Sequence, residues 1–241
     1  MPLFKYMKEI HFEIIDSTNK YIKEHFQELD DLTFVSSDYQ SSGKGRYERK
    51  WISPKGENLL FSLLIKNKDI ISYGGFLSLV TAVSVSELIT KYGFNNVSIK
   101  WPNDVYISDK KVCGILLEGQ MPEYIVIGAG INVNQKEFDG EYRAAPTSLF
   151  IEGQKEVVLS AFRRDMFDIL IKNIQNINQK YDDFLDYFNS HNYLKNKDVS
   201  ISYNGEDISG IVKGVNKDFH LIIETKKGDI EVTSGECSVI I

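Results

Sequence analysis

The chain has 241 residues, 42% of them hydrophobic, which suffices for one sizeable domain, its buried core and a smaller appendage. A formal net charge of −6 removes any overall attraction to nucleic acid or to an anionic membrane surface. No apolar run approaches the ~18 residues of a membrane span, and Met1-Pro2-Leu3-Phe4-Lys5 lacks a signal peptide's apolar stretch, so a cytoplasmic protein without nucleic-acid or membrane partners is expected.

Residues 11–15 read as a short strand, followed by Asp16-Ser17-Thr18-Asn19, whose short polar side chains suit a helix N-terminus, and by a helix over 18–28. Residues 33–37 form a second predicted strand. The stretch 40–50 (QSSGKGRYERK) is polar, basic and without hydrophobic period, and reads as a mobile loop. Residues 58–66 are an apolar run of strand length, and 76–92 carry apolar positions at helical spacing that stop at Gly93. Strand-like runs then follow closely at 97–100, 105–108, 111–118 and 124–128. Connections as short as 108–110 imply antiparallel neighbours, hence an α+β protein rather than a doubly wound parallel sheet.

Apolar residues from Phe162 to Phe188 recur three or four apart, the face of one long helix or of a pair. Beyond them the pattern changes to short alternating runs at 199–203, 208–215, 221–224 and 229–232, with Asn204-Gly205 as a hairpin turn. Two units are expected, 1–194 and 195–241, the second a small β-barrel. Cys113 and Cys237 lie far apart in apolar stretches without metal-ligand spacing and are expected to be reduced packing residues.

Three stretches have a composition suited to chemistry. Gly43-Lys44-Gly45-Arg46 joins glycines that permit close backbone approach to cations that neutralise phosphate or carboxylate; it is no Walker A sequence, and a solvated loop looks similar. Lys100-Trp101-Pro102-Asn103-Asp104 sets a cation, an aromatic and two acceptors around a proline-fixed turn, although a plain hairpin reads the same way. Gly128-Ala129-Gly130-Ile131-Asn132 puts small residues directly after a buried strand, as if backbone passed close to something flat, or simply bent there.

Taken together, Ser17-Thr18-Asn19, GKGRYERKW (43–51), KWPND (100–104), KKVCGILLE (110–118) and GAGIN (128–132) resemble, in order and spacing, the biotin protein ligases. That family's signature reads GRGRxGRxW, KWPND, K(L/V)xGILxE and GxGxN. The resemblance runs on through Ala145-Pro146-Thr147-Ser148-Leu149 into the C-terminal unit. It implies a mixed sheet like that of class II aminoacyl-tRNA synthetases, backed by helices and followed by an SH3-like barrel. The implied activity is ATP-dependent: biotin and ATP give biotinyl-5'-AMP, and the biotinyl group passes to a lysine of a biotin carboxyl carrier domain, with Mg²⁺ accompanying the nucleotide.

By the same resemblance Ser17, Thr18 and Gln40 meet the biotin head, where a urea needs both donors and acceptors. Trp51, Gly114 and Leu116 border its apolar part, while Lys44, Arg46 and Lys111 reach the carboxylate and phosphate oxygens. Gly43, Gly45, Asn103 and Asn132 fall on the nucleotide side. Asp104, after the rigid turn, is expected to receive or steer the incoming lysine, which at neutral pH is almost wholly protonated. Lys44 replaces the family's usual arginine, a point charge for a bidentate fork, and Glu48 replaces its usual glycine. Segment 133–146, with Phe138 and Tyr142, is the expected nucleotide-side lid.

A lipoate or octanoate ligase of similar fold is the nearest rival, but an acyl chain gives Gln40 and the Ser-Thr pair nothing to bond. With about ten residues ahead of the first predicted strand, a DNA-binding winged helix is not expected. A homodimer is a family expectation that the sequence leaves open.

Overall fold

The computed structural model describes residues 8–203, 206–235 and 237–240; the Asn204-Gly205 turn and the first seven residues lie outside the described residues. Strands β1 (Glu9–Phe12), β2 (Phe34–Ser37), β3 (Leu59–Ile65), β4 (Val97–Lys100), β5 (Asp104–Ile107), β6 (Lys110–Gln120) and β7 (Tyr124–Ile131) form one mixed sheet in the order β1-β2-β3-β7-β6-β5-β4. Only β1 and β2 pair in parallel, and helix α1 (Thr18–His25) supplies the crossover that a parallel pair needs.

The first strand begins earlier than its sequence suggests. Ile14 and Ile15 look strand-forming, but the chain bends after Phe12, leaves Ile14 exposed and makes only a single bridge from Ile15 to Gln40. That bend carries Ser17 to the N-cap of α1, where its side chain accepts from the Lys20 amide. The helix ends at His25 instead of 28, and Glu28 closes a turn back onto the His25 carbonyl.

Helix α3 (Phe76–Lys91) is buried along thirteen of its sixteen residues, as a helix apolar on all sides must be. It lies between the sheet and a helix pair, α5 (Leu159–Gln175) and α6 (Tyr181–Ser190), which share the apolar period of 162–188 across a break at 176–180. Hydroxyls inside α3 bond back one turn, Thr81 to Leu77 O and Ser84 to Val80 O, so the buried helix carries them satisfied. Two helices too short to show a period, α2 (Lys68–Ile71) and α4 (Leu149–Gly153), start at the caps Asn67 and Ser148.

The last part of the chain forms a five-stranded antiparallel sheet from β8 (Asp198–Tyr203), β9 (Glu206–Val215), β10 (Leu221–Thr225), β11 (Gly228–Val232) and β12 (Cys237–Val239), in the order β11-β10-β9-β8-β12. Its apolar side joins the main core without a gap: Phe219 packs edge-on against Phe188 and Phe76, and its carbonyl accepts from Trp101 Nε1 at 3.0 Å. The smaller sheet is thereby tied to the proline turn at 101–102.

Helices α3, α5 and α6 cover one face of the large sheet. On the other face α1 packs through Ile22 onto Val35, Leu64 and Val126, leaving the later part of β7, and β6 and β5 beside it, uncovered by a helix.

Candidate functional site

A cleft of about 810 Å³ opens on that uncovered face. Its floor follows from strand register. Ser62, Gly128 and Leu116 stand side by side on β3, β7 and β6; two residues along, on the same face, the row is Leu60, Gly130, Gly114 and, on β5, Asp104. The glycines are there because something flat lies on them. A β-carbon on Gly130 would sit 2.4 Å from Cε2 of Trp51, one on Gly114 2.9 Å from its Cζ3, and one on Gly128 2.2 Å from Asn19 Oδ1. The indole of Trp51 and the carboxamide of Asn19 therefore rest directly on the sheet backbone.

Strict alternation would point Lys111 away from Gly114. A bulge between β5 and β6, where Val105 faces Cys113 but Tyr106 faces Lys111, adds Val112 to one strand and turns Lys111 back to the cleft face. Its ammonium comes to 2.7 Å from Asp104 Oδ1, close enough for an ion pair but off the axis of a hydrogen bond, and 5.8 Å from the centre of the Trp51 ring. The backbone of Lys111 is fixed from the far side, its N–H donating to Ala145 O and its carbonyl accepting from Thr147 N.

The 40–50 stretch folds into a narrow hairpin, with Gly45 N–H donating to Arg49 O and Trp51 N–H to Gly43 O. At its tip Arg46–Glu48 make one 3₁₀ turn in which Tyr47 adopts a left-handed backbone (φ 56°), a conformation usually left to glycine or asparagine. Arg46 Nη1 donates to Asn103 Oδ1 at 3.2 Å, and Asn103 Nδ2 donates to Ile115 O at 2.7 Å, joining loop, turn and β6. Arg46 thus reaches the cleft at the level of Ile115, and Lys111 farther along, opposite Tyr106 on β5.

The other end is neutral. Gln40 Oε1 accepts from the Thr18 N–H at 2.7 Å and lies 3.1 Å from Thr18 Oγ1, while Ser17 and Thr18 are almost fully buried. Every side chain the sequence singled out lines the cleft except at Gly43, whose Cα is packed against the Trp51 carbonyl, so its part is to shape the hairpin. Asn132 lines the cleft as well, but its Nδ2 is committed to Thr147 O at 2.9 Å, holding the 145–148 segment in place. The side chain of Glu48 lies outside the described residues.

Several further residues line the cleft without having been assigned an individual binding or catalytic role from the sequence. Lys100 lines the wall beside Asp104, and burial pushes its ammonium below the usual lysine range. Cys237 and Ser238 reach the rim from β12, where Arg143 donates to Ser238 Oγ at 2.6 Å. Phe138 and Tyr142 also stand on the rim, edge to face with centroids 6.1 Å apart. Both cysteines are buried and unbridged; burial drives the Cys113 thiol far above its ordinary value and the Cys237 thiol up to about 11, which suits packing rather than nucleophilic work.

Among the described residues no group of three His, Cys, Asp or Glu is placed to hold a metal, and no helix is long and apolar enough to cross a membrane.

Residues 11–132 match the biotin/lipoate A/B protein ligase family. The bifunctional ligase/repressor BirA of Escherichia coli is 30% identical over 223 residues, 88% of this chain and 67% of BirA. The biotin–[acetyl-CoA-carboxylase] ligase of Mycobacterium tuberculosis is 29% identical over 45% of this chain and 41% of its own length, and the Salmonella typhimurium BirA is matched over 41% of its length, so the chain spans less than half of these two relatives. A biotin protein ligase from Aquifex aeolicus, solved with biotin and ATP, superposes with a TM-score of 0.87 at 29% identity over 98% of this chain and 99% of that one.

Proposed function

Because this chain belongs to the biotin/lipoate A/B protein ligase family, we propose that it is a biotin protein ligase: it adenylates biotin with ATP and transfers the biotinyl group to a lysine of a carboxylase's carrier domain. One observation carries the reading. Thr18 bonds Ser62 in the row of Gly128 and Leu116, Trp51 lies over Gly130 and Gly114 in the next row, and Lys111 stands beside the indole with Asp104, so the lining passes from a neutral hydrogen-bonding end over an apolar floor to a cation. Biotinyl-AMP has the same order: an uncharged urea, an apolar chain and an anionic phosphate.

In the first step a biotin carboxylate oxygen attacks the α-phosphorus and pyrophosphate leaves. Two anions must meet, and negative charge builds on phosphate oxygens, so Lys111, held by Asp104, and Arg46, held by Asn103, lower the barrier with little reorganisation. Trp51 keeps water from the chain carbons. Mg²⁺ is expected to arrive with the triphosphate, which supplies hard oxygen ligands that the described residues do not gather into a cage of their own.

In the second step the acceptor amine attacks the acyl carbon, the bond to AMP breaks, and the amine gives up a proton. Asp104, at the mouth of the proline turn, is the group to take it or to steer the ammonium inward. Alanine at Asp104 is expected to slow single-turnover transfer from preformed adenylate about a hundredfold while adenylate formation changes less than about tenfold. Normal rates in both steps would remove Asp104 from this role. The reading as a whole is tested by mass spectrometry of a carrier domain incubated with the protein, biotin and ATP: one biotinyl group on one lysine is expected, and an unmodified carrier contradicts it.

A further inference from the structure

Behind the neutral end of the cleft a chain of polar side chains leads outward to the sheet's edge. Gln40 and Thr18 are followed by Ser62 on β3, Asn19 on α1, and then Glu118 on β6, which is bonded in turn by Lys23. Asn19, Ser62 and Thr18 are buried, whereas Glu118 is partly open to solvent. Burial pushes the Glu118 carboxyl up, but the hydrogen bonds from Lys23 and Asn19 outweigh it and hold the group below the usual glutamate range, so it is an anion at neutral pH.

Counting protons along this chain fixes its sense. An ionised carboxylate only accepts, so Asn19 must turn Nδ2 toward Glu118 Oε2, 2.8 Å away, and its Oδ1 toward Ser62. That carboxamide lies flat on the bare backbone of Gly128, so an end-for-end turn in its own plane is the one rearrangement left to it, and Glu118 decides which end points where. Asn19 Oδ1 also only accepts, so the single proton of Ser62 goes to it across 2.5 Å. Ser62 Oγ then offers only a lone pair to Thr18 Oγ1 at 2.7 Å, and the Thr18 proton turns inward to Ser62, the closer of its two acceptors. What faces the cleft at Thr18 is a lone pair.

We propose that Glu118 is a positioning residue for substrate selection: through Asn19 and Ser62 it sets the Thr18 hydroxyl as a hydrogen-bond acceptor, so the site favours an acid whose head group carries an N–H. This rests on the biotin reading and deepens it, since a ureido ring has N–H groups and a dithiolane or a plain acyl chain has none. Without Glu118 the Asn19 amide is free to present either end, Ser62 regains the choice of its proton, and Thr18 becomes donor or acceptor indifferently.

The test is calorimetric binding of biotin and of an analogue methylated at both ureido nitrogens, with thermal unfolding as the check on folding. Glu118→Ala is expected to weaken biotin about tenfold, roughly one hydrogen bond's contribution, with little change for the methylated analogue, so the discrimination ratio collapses. Asn19→Asp alone sets two carboxylates face to face and is expected to weaken biotin further. Asn19→Asp with Glu118→Gln restores an acceptor-only side chain toward Ser62 and is expected to recover discrimination. Equal weakening of both ligands in Glu118→Ala, no weakening of either, or a double variant no better than Asn19→Asp alone would overturn the proposal. Wild-type protein that binds biotin but makes no adenylate contradicts the ligase reading and leaves this test intact.

Discussion

Alanine at Lys111 is expected to slow adenylate formation roughly a hundredfold to a thousandfold, the usual cost of removing one preorganised group that stabilises transition-state charge. Biotin affinity should fall far less, because the neutral end, where Thr18 and Gln40 meet, does not involve Lys111. The bulge makes the prediction sharper. Lys111 occupies the cleft face because Val112 is taken up as the extra residue; unbulged alternation from Gly114 would put Val112 on the cleft face and turn Lys111 away. Stopped assays of labelled adenylate, at saturating biotin and ATP, measure the effect; a Lys111→Ala variant within about threefold of wild type would show that the cation does not act on the phosphate.

Alanine at Gly130 is expected to weaken biotin binding about tenfold to a hundredfold, corresponding to the ~1–3 kcal/mol of an overpacked site. The added β-carbon would lie 2.4 Å from Cε2 and 2.6 Å from Nε1 of Trp51, and the paired Gly114 leaves no slack on the neighbouring strand. The indole must lift off the sheet and narrow the cleft. Gly75→Ala is the control, since nothing lies within 4 Å of its added carbon and the backbone there is ordinary. Equilibrium dialysis with biotin distinguishes the two. Wild-type affinity in Gly130→Ala would mean that Trp51 does not form the floor.

Much of this was legible in the residue order. Short connections between apolar runs gave antiparallel neighbours and the α+β class, and the KWPND and GAGIN stretches do bring their residues to one cleft. The guess that backbone passes something flat at Gly128 and Gly130 holds, although the flat groups are the protein's own Asn19 and Trp51. What stayed hidden depends on contacts distant in sequence. A bulge shifts the face of Lys111 without any local mark, since Lys-Lys-Val-Cys-Gly alternates acceptably without it. The first strand was read two residues late because Ile14 and Ile15 have strand-forming side chains, whereas the parallel register with β2 and the turn into α1 decide where pairing stops. Helices α2 and α4 are shorter than any detectable period, and β12 shows its importance only where Ser238 meets Arg143 at the cleft rim. Glu118 could have been found as the last residue of KKVCGILLE, but nothing in the sequence says that Asn19, ninety-nine positions earlier, lies against it.

The central claim is that one cleft joins biotin's carboxylate to the α-phosphate of ATP. Biotin-dependent exchange of labelled pyrophosphate into ATP, run beside lipoate and octanoate, measures that step alone. The account predicts exchange with biotin and none above background with the other two acids; exchange driven by lipoate or octanoate, or by none of the three, would contradict it.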